Sequence, residues 1–326
     1  MEIVKLTFTS PLHLSKGKST YEDSFKVLHA DTLKSALFVC ALELFGKEEI
    51  DKSFLESFLL SSAFPYTEDE LFFPKPERFS NHFTIKNPEK NAKELKKVNF
   101  VGQSYFEKML CAEVCEVEKK DIVGEKFLSK AKKMPYRAEI TQRVSISRND
   151  AEQGNTFYTD RIFLNEKCGF YFILKIKQGK EAFRAKIEAA LRLLGDHGLG
   201  SDKSVGNGQF EFKIEQFDLK MPSENEATHQ VAMSLYLPQK AEIVNLDLEK
   251  SAYQLTKRGG YIANPENVNH ASWRKKSVYM FKEGAVFPKA DLLGDIVDLQ
   301  PNGEGFSINH PIYRDGQSIF FNCKML

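Results

Sequence analysis

Tryptophan is almost missing from this 326-residue chain, which has one, and so is any excess of charge. The 46 lysines and arginines stand against 45 aspartates and glutamates, a formal charge of +1. So even a balance rules out a global field that would recruit a polyanion, and any nucleic-acid surface must come from local segregation of cations. Cysteine is sparse, with five in all, and Cys111 and Cys115 are the only close pair. Without a second pair or a nearby histidine they do not complete a zinc site, so the thiols read as reduced and mostly buried, and neither metal nor cofactor is expected. No hydrophobic run reaches the length of a membrane span. The opening MEIVKLTFTS alternates where a signal peptide would have a basic start and an apolar core. Together these absences lead us to expect a cytoplasmic chain with no membrane partner.

What is present is length for two domains, each able to bury a core. Val4, Leu6 and Phe8 share one phase against Lys5 and Thr7, the period of a half-buried strand. From Ala30 to Phe45, Leu33, Leu37, Cys40 and Leu44 fall on one helical face, with Asp31 and Thr32 read as capping groups. A shorter helical stretch is expected near residues 51 to 61. Residues 65 to 140 are rich in lysine and broken by proline, and read as an insertion. The runs RVSIS and TFYTDRIFL, separated by RNDAEQGN, predict a hairpin with a long loop. In GFYFILKIK, Phe170, Phe172, Leu174 and Ile176 alternate as a strand, and Phe183, Ile187, Leu191 and Leu194 then restore a helical stripe. Phe210, Phe212 and Ile214 alternate with charged residues in a last strand with one solvated face.

Strand, helix, strands, helix, strand is the split βαβ order of a ferredoxin-like (RRM-like) domain, here with a long insertion after its first helix. KMPSENEATH marks a boundary, so residues 1–221 form the first domain and 222–326 a second. Val231, Met233, Leu235 and Leu237 in phase, then SVYMF, GAVF and SIFFNCKM, suggest that the second repeats the architecture of the first. The expected class is α+β, with two ferredoxin-like domains.

Between the second helix and the last strand lies GDHGLGSDKSVGNGQFEF, five glycines in the fourteen residues from Gly195 to Gly208. A nucleotide-binding P-loop or a dinucleotide fingerprint needs a strand before the glycines and a helix after them, and this order is the reverse. There is no Gly-Lys pair for Lys203 to occupy the Walker position. A helix cap explains one or two glycines, but Gly198, Gly200, Gly206 and Gly208 exceed it. Amides free of side chains, with Ser201, Lys203 and Ser204 as further donors, suit a polyanion.

That loop, in that place, resembles the RAMP superfamily of CRISPR proteins. More narrowly the chain is similar to the family of fourth subunits of type III-A (Csm) effector complexes. The resemblance rests on HADTLKSAL, FFPKP, KKVNFVGQSYFEKML, QRVSISRND, the glycine loop, SVYMFKEGAVF and HPIYRDGQSI. It implies a noncatalytic scaffold of two ferredoxin-like domains that binds the 5′ repeat-derived handle of crRNA. It also implies a place at one end of the complex, beside the large subunit with polymerase-like palm domains and the first backbone RAMP subunit, with target RNA nearby. By that resemblance Gly198, Gly200, Ser201, Lys203, Gly206 and Gly208 line the handle, and Arg143 and Arg148 of the hairpin are similar in placement to basic residues that contact RNA.

Other candidates carry two readings each. Lys257 and Arg258 in KRGGY join cations, glycines and an aromatic, which suits a phosphate and a stacked base, or else a basic turn. Lys34 or Ser35 of the first helix is a candidate to face RNA. Arg143, Arg148, Phe157, Tyr158 and Arg161 form either an RNA surface or an ordinary exposed strand. His29 beside Asp31, with His13 and His197, raises the alternative of a RAMP-type crRNA-processing endoribonuclease, and Asp23 or Asp31 that of a target-cleaving aspartate. An RNA-independent protein scaffold is a further alternative. KELKK and SKAKKM read as solvated faces unless the fold gathers them with Lys75 and Arg137. Trp273, before RKK, is either an interface anchor or core.

Overall fold

The computed structural model describes residues 1–14, 27–78, 83–85, 88–124, 126–146, 154–262, 273–301 and 310–325. It is a mixed α+β chain organised on one nine-stranded sheet. At the centre, Glu2–Phe8 pairs antiparallel with Phe210–Gln216 on one side and with Gly169–Ile176 on the other. Gly169–Ile176 in turn pairs antiparallel with Phe58–Leu60 and with Phe64–Thr67. The helices Ala30–Phe45 and Arg184–His197 pack on each other over this sheet.

The first helix occupies the predicted span. Leu33, Leu37 and Cys40 are buried as its periodicity requires, whereas Leu44 is exposed at its end. Gly46 ends it with φ +76°, a backbone state that only glycine adopts without strain. The helical stretch expected at 51–61 is shorter: Asp51 caps Lys52–Glu56 by accepting from the Ser53 amide, and Phe58–Leu60 is strand. Gly169–Ile176 alternates in sequence, yet Tyr171 and Ile173 are as buried as Phe170 and Phe172. Both faces of that strand are covered, which is why its apolar run is nearly continuous.

The lysine-rich segment extends the sheet. Glu70–Pro74, Phe100–Gly102, Phe127–Leu128 and Ile122–Val123 add to it in that spatial order. The predicted hairpin is real and long: Tyr136–Ile146 and Gly154–Leu164 pair antiparallel over eleven positions, from Tyr136 opposite Leu164 to Ile146 opposite Gly154.

In the second half, His229–Ala232 lies between Val286–Pro288 and Phe320–Cys323, and two further strand pairs join Leu255–Arg258 to Val278–Phe281 and Ile296–Asp298 to Tyr313–Asp315. Its only helix among the described residues is Lys240–Ile243. Val231, Met233, Val286, Ile319 and Phe321 belong to the same apolar core as Val4, Leu33 and Phe172. A smaller cluster around Tyr236, Phe281 and Phe287 packs separately. All five cysteines are free thiols. Among the described residues there is no acidic, histidine or cysteine group that could hold a metal, and no helix long and apolar enough to cross a membrane.

Candidate nucleic-acid interface

A cavity of about 750 Å³ opens where three distant parts of the chain meet. One wall is the start of the first helix, with His29, Thr32 and Ser35. A second is the glycine loop, with Gly198, Gly200, Ser201 and Lys203. The third comes from the second half, where Lys257 to Gly260, Arg274, Lys275, Ser277 and Arg314 line it. Of the lining residues six are lysine or arginine and none is acidic. Cations converging on a concave surface focus a positive potential that the net charge of +1 conceals.

The glycines owe their place to the backbone itself. Gly198, Gly200 and Gly208 have φ of +81°, +90° and +78°. A Cβ on Gly200 would lie 2.4 Å from the His13 carbonyl oxygen, and one on Gly208 only 1.9 Å from that of Leu199. The loop folds onto itself and onto residues 11–13: Leu199 N donates to Gly208 O at 2.8 Å, Ser201 N to His13 O at 2.8 Å, and Gly208 N to Pro11 O at 2.9 Å. Most loop amides already have backbone acceptors, which leaves side chains such as Lys203 as the main donors facing the cavity. Gly208 is buried and Gly206 exposed, and neither lines the cavity.

Asp31 organises the basic wall from behind. Its carboxylate accepts from Arg258 Nε at 2.9 Å and Nη2 at 3.0 Å, and from Arg314 Nη1. Arg314 Nη2 also donates to Gly259 O at 3.1 Å. Burial alone would raise the Asp31 pKa, but Arg314 and Arg258 outweigh it and hold the carboxyl well below the usual range. Lys275 has the opposite history: burial, reinforced by Arg314 and Arg258, pushes its ammonium down to about 8. Beside it the Arg274 guanidinium lies 5.1 Å over the Tyr261 ring, with Nη2 3.1 Å from the hydroxyl.

Several expected residues lie elsewhere. Lys34, a candidate to face RNA, is fully buried, with Nζ 2.7 Å from Asp315 and 2.8 Å from Phe58 O. Its phase explains this, since it stands four residues after Ala30 and three before Leu37, on the apolar face. Ser35 does line the cavity, although its hydroxyl donates to Asp31 O at 2.7 Å. His29, not Asp31 or Thr32, occupies the cap position, without a side-chain capping bond, and Asp31 is instead a first-turn carboxylate, the other role its place in the sequence favours. Arg143 lies outside the cavity on the hairpin, 2.9 Å from Asp202 of the glycine loop and 5.9 Å over the Phe157 ring. Arg148 and Asp23 fall outside the described residues.

The histidines find different partners. His29 Nδ1 is 2.7 Å from Glu283, which Ser62 also contacts; His13 Nδ1 is 2.7 Å from Asp160 O; His197 is 3.8 Å from Glu43. Lys75 bonds Leu95 O and Arg137 pairs with Glu139, so the lysine-rich segment does not gather at one site through them. Arg274, Lys275 and Arg314 were missed by sequence reasoning, although RKK after Trp273 carried part of the signal. Trp273 itself is half-buried.

Two family models match in succession. That of the RAMP superfamily covers residues 5–211, and that of the CRISPR Csm4 C-terminal domain covers 225–323. Among curated proteins the chain is 26% identical to the CRISPR system Cms protein Csm4 of Methanocaldococcus jannaschii, over 99% of this chain and 98% of that one. The protein of the same name from Streptococcus thermophilus is 22% identical, with 95% of each chain covered. In fold it is similar to a chain of the crystal structure of the Csm3-Csm4 subcomplex in the type III-A CRISPR-Cas interference complex, with a TM-score of 0.69, 21% identity and full coverage of both chains. A chain of the Csm1-Csm4 cassette in complex with AMPPNP gives a TM-score of 0.62 at 18% identity, covering 100% of this chain and 98% of that one.

Proposed function

This chain belongs to the RAMP superfamily, and we propose that it is the noncatalytic crRNA-binding subunit of a type III-A interference complex, capturing the 5′ handle in the basic cleft. The observation that carries this reading is the convergence of six cations and no acid on a cavity built from the glycine loop, the first helix and the second half. A single strand needs phosphate neutralisation and surfaces on which its bases can stack, and the cleft offers the first through its cations and the second at the guanidinium plane of Arg274. The antiparallel order Phe210–Gln216, Glu2–Phe8, Gly169–Ile176, Phe58–Leu60 supports a ferredoxin-like first domain over residues 1–221, with the segment from about 65 to 140 inserted after the first helix. We take residues 222–326 as a second ferredoxin-like domain.

The relatives solved with Csm3 and with Csm1 support a position that caps the complex between the first backbone subunit and the large palm-domain subunit, with the target RNA passing nearby. The separate partners of His13, His29 and His197 favour a scaffold over a processing nuclease. Copurification from a reconstituted operon, followed by sequencing of the bound RNA, tests the reading. Guides sharing one 5′ segment are expected with the wild-type chain and are lost with Lys275→Glu. Scission of repeat RNA by the purified chain would favour the nuclease instead, and full complex assembly with unchanged RNA occupancy in Lys275→Glu would favour a protein scaffold.

A further inference from the structure

Lys257 and Tyr279 stand directly opposite each other across the strand pair Leu255–Arg258 and Val278–Phe281. Residues so opposed project from the same face. Lys257 lines the cleft, so Tyr279, its cross-strand neighbour, stands beside the rim of the cleft. Tyr279 is 63% exposed, and among the described residues its ring and hydroxyl engage no partner. The strands that carry it are anchored: Met280 is fully buried, and Arg258 is tied to Asp31 by two bonds. An aromatic ring is thus presented on a rigid support, beside a cation, at the rim of a cleft that no acidic residue lines.

We propose that Tyr279 is a stacking platform for one base of the single-stranded RNA where it leaves the cleft, with Lys257 neutralising the adjoining phosphate. The inference rests on the proposed RNA reading and adds to it a base-contacting position outside the cavity. Sequence-tolerant recognition of single strands relies on this combination of ring and cation, because every base has a face to stack. A protein partner is the less favoured occupant, since the charged residues lining the adjoining cleft are all cationic and match a phosphate chain.

The test uses the effector complex reconstituted with a guide RNA bearing its own operon's repeat segment, with 2-aminopurine placed at successive handle positions. Stacking quenches this base. At one position the fluorescence is expected to be quenched with the wild-type chain and with Tyr279→Phe, and to rise severalfold with Tyr279→Ala, while RNA affinity falls about tenfold in the alanine variant alone. Identical fluorescence at every position in wild type and Tyr279→Ala would overturn the platform. So would unchanged fluorescence together with loss of a copurifying subunit, which would make the face a protein contact. Lys275→Glu separates the two layers. If it abolishes RNA binding while Tyr279→Ala is silent, only the platform is wrong; if it too leaves RNA bound, the cleft reading falls with it.

Discussion

Asp31, in the first turn of the first helix, and Arg258, 227 positions further along the chain, form a two-bond pair at 2.9 and 3.0 Å. Arg314 contacts the same carboxylate. One buried acid therefore fixes two cleft arginines and joins the helix to the second half. Asp31→Ala leaves both guanidinium groups without their counter-charge, and a loss of about 3 to 5 kcal/mol is expected from breaking such a buried pair on one side. Urea unfolding of the purified chain measures it.

Lys34 and Asp315 make the neighbouring link, at 2.7 Å and out of solvent. Lys34→Met alone is expected to cost about 3 to 5 kcal/mol, whereas Lys34→Met with Asp315→Leu should recover most of that, because an apolar pair avoids desolvating two charges. The salt dependence of RNA binding should be the same in the double variant as in wild type, since Lys34 does not reach the cleft. A double-mutant cycle with a parallel salt titration decides both points.

The fate of Lys34 shows how far the sequence was legible. Periodicity located the opening strand, the first helix and the helix before the glycine loop, and two strand-like runs around a turn-rich stretch located the hairpin, because each is a local pattern. The same spacing puts Lys34 on the buried stripe, but a lysine there makes sense only once Asp315 is known to lie opposite it. The cleft was harder for the same reason. Lys203, Lys257, Arg258 and Ser35 were singled out one by one, while Arg274, Lys275 and Arg314 become a site only through pairings that join residues 31, 258 and 314. The glycine loop reads in sequence as a polyanion contact, whereas the structure gives its glycines close backbone packing, which no count of glycines discloses.

That packing separates two glycines of the loop. Gly208→Ala would set a Cβ 1.9 Å from Leu199 O, whereas at Gly206, with φ +79°, nothing lies within 4 Å. Gly206→Ala is expected to cost only the backbone strain, about 1 to 2 kcal/mol. Gly208→Ala should cost more and broaden or abolish the thermal transition. Melting curves of the two variants side by side give the comparison.

Lys275 sets a pH dependence. With its pKa pushed down to about 8 from 10.5, the folded chain releases this proton before the unfolded chain does. The unfolded state binds more protons between those values, so the stability penalty of burying Lys275 is full below about pH 8 and is relieved as pH rises towards 10.5. RNA binding in the proposed cleft is expected to run the other way, because a phosphate there would need the ammonium. Affinity is expected to fall about fourfold between pH 7 and pH 8.5 as the protonated fraction drops, and Lys275→Arg should flatten that profile. Binding titrations across this range check the sign.

Lys203 and Lys257 line the cleft from different parts of the chain. Lys203→Gln and Lys257→Gln are each expected to weaken RNA binding and to lower the slope of log K against log salt by about 0.7, the value for one phosphate on a single strand. Their effects on stability should stay within about 0.5 kcal/mol, as for other exposed positions.

The most direct measurement is the affinity of the assembled subcomplex for a guide RNA with its 5′ handle, set against an RNA of equal length whose handle is replaced, at one fixed salt concentration, for wild type and Lys275→Glu. Preference for the handle RNA by tenfold or more, lost in Lys275→Glu, is the expected result. Equal affinity for the two RNAs, or a preference that survives the charge reversal, would contradict capture of the handle in the cleft.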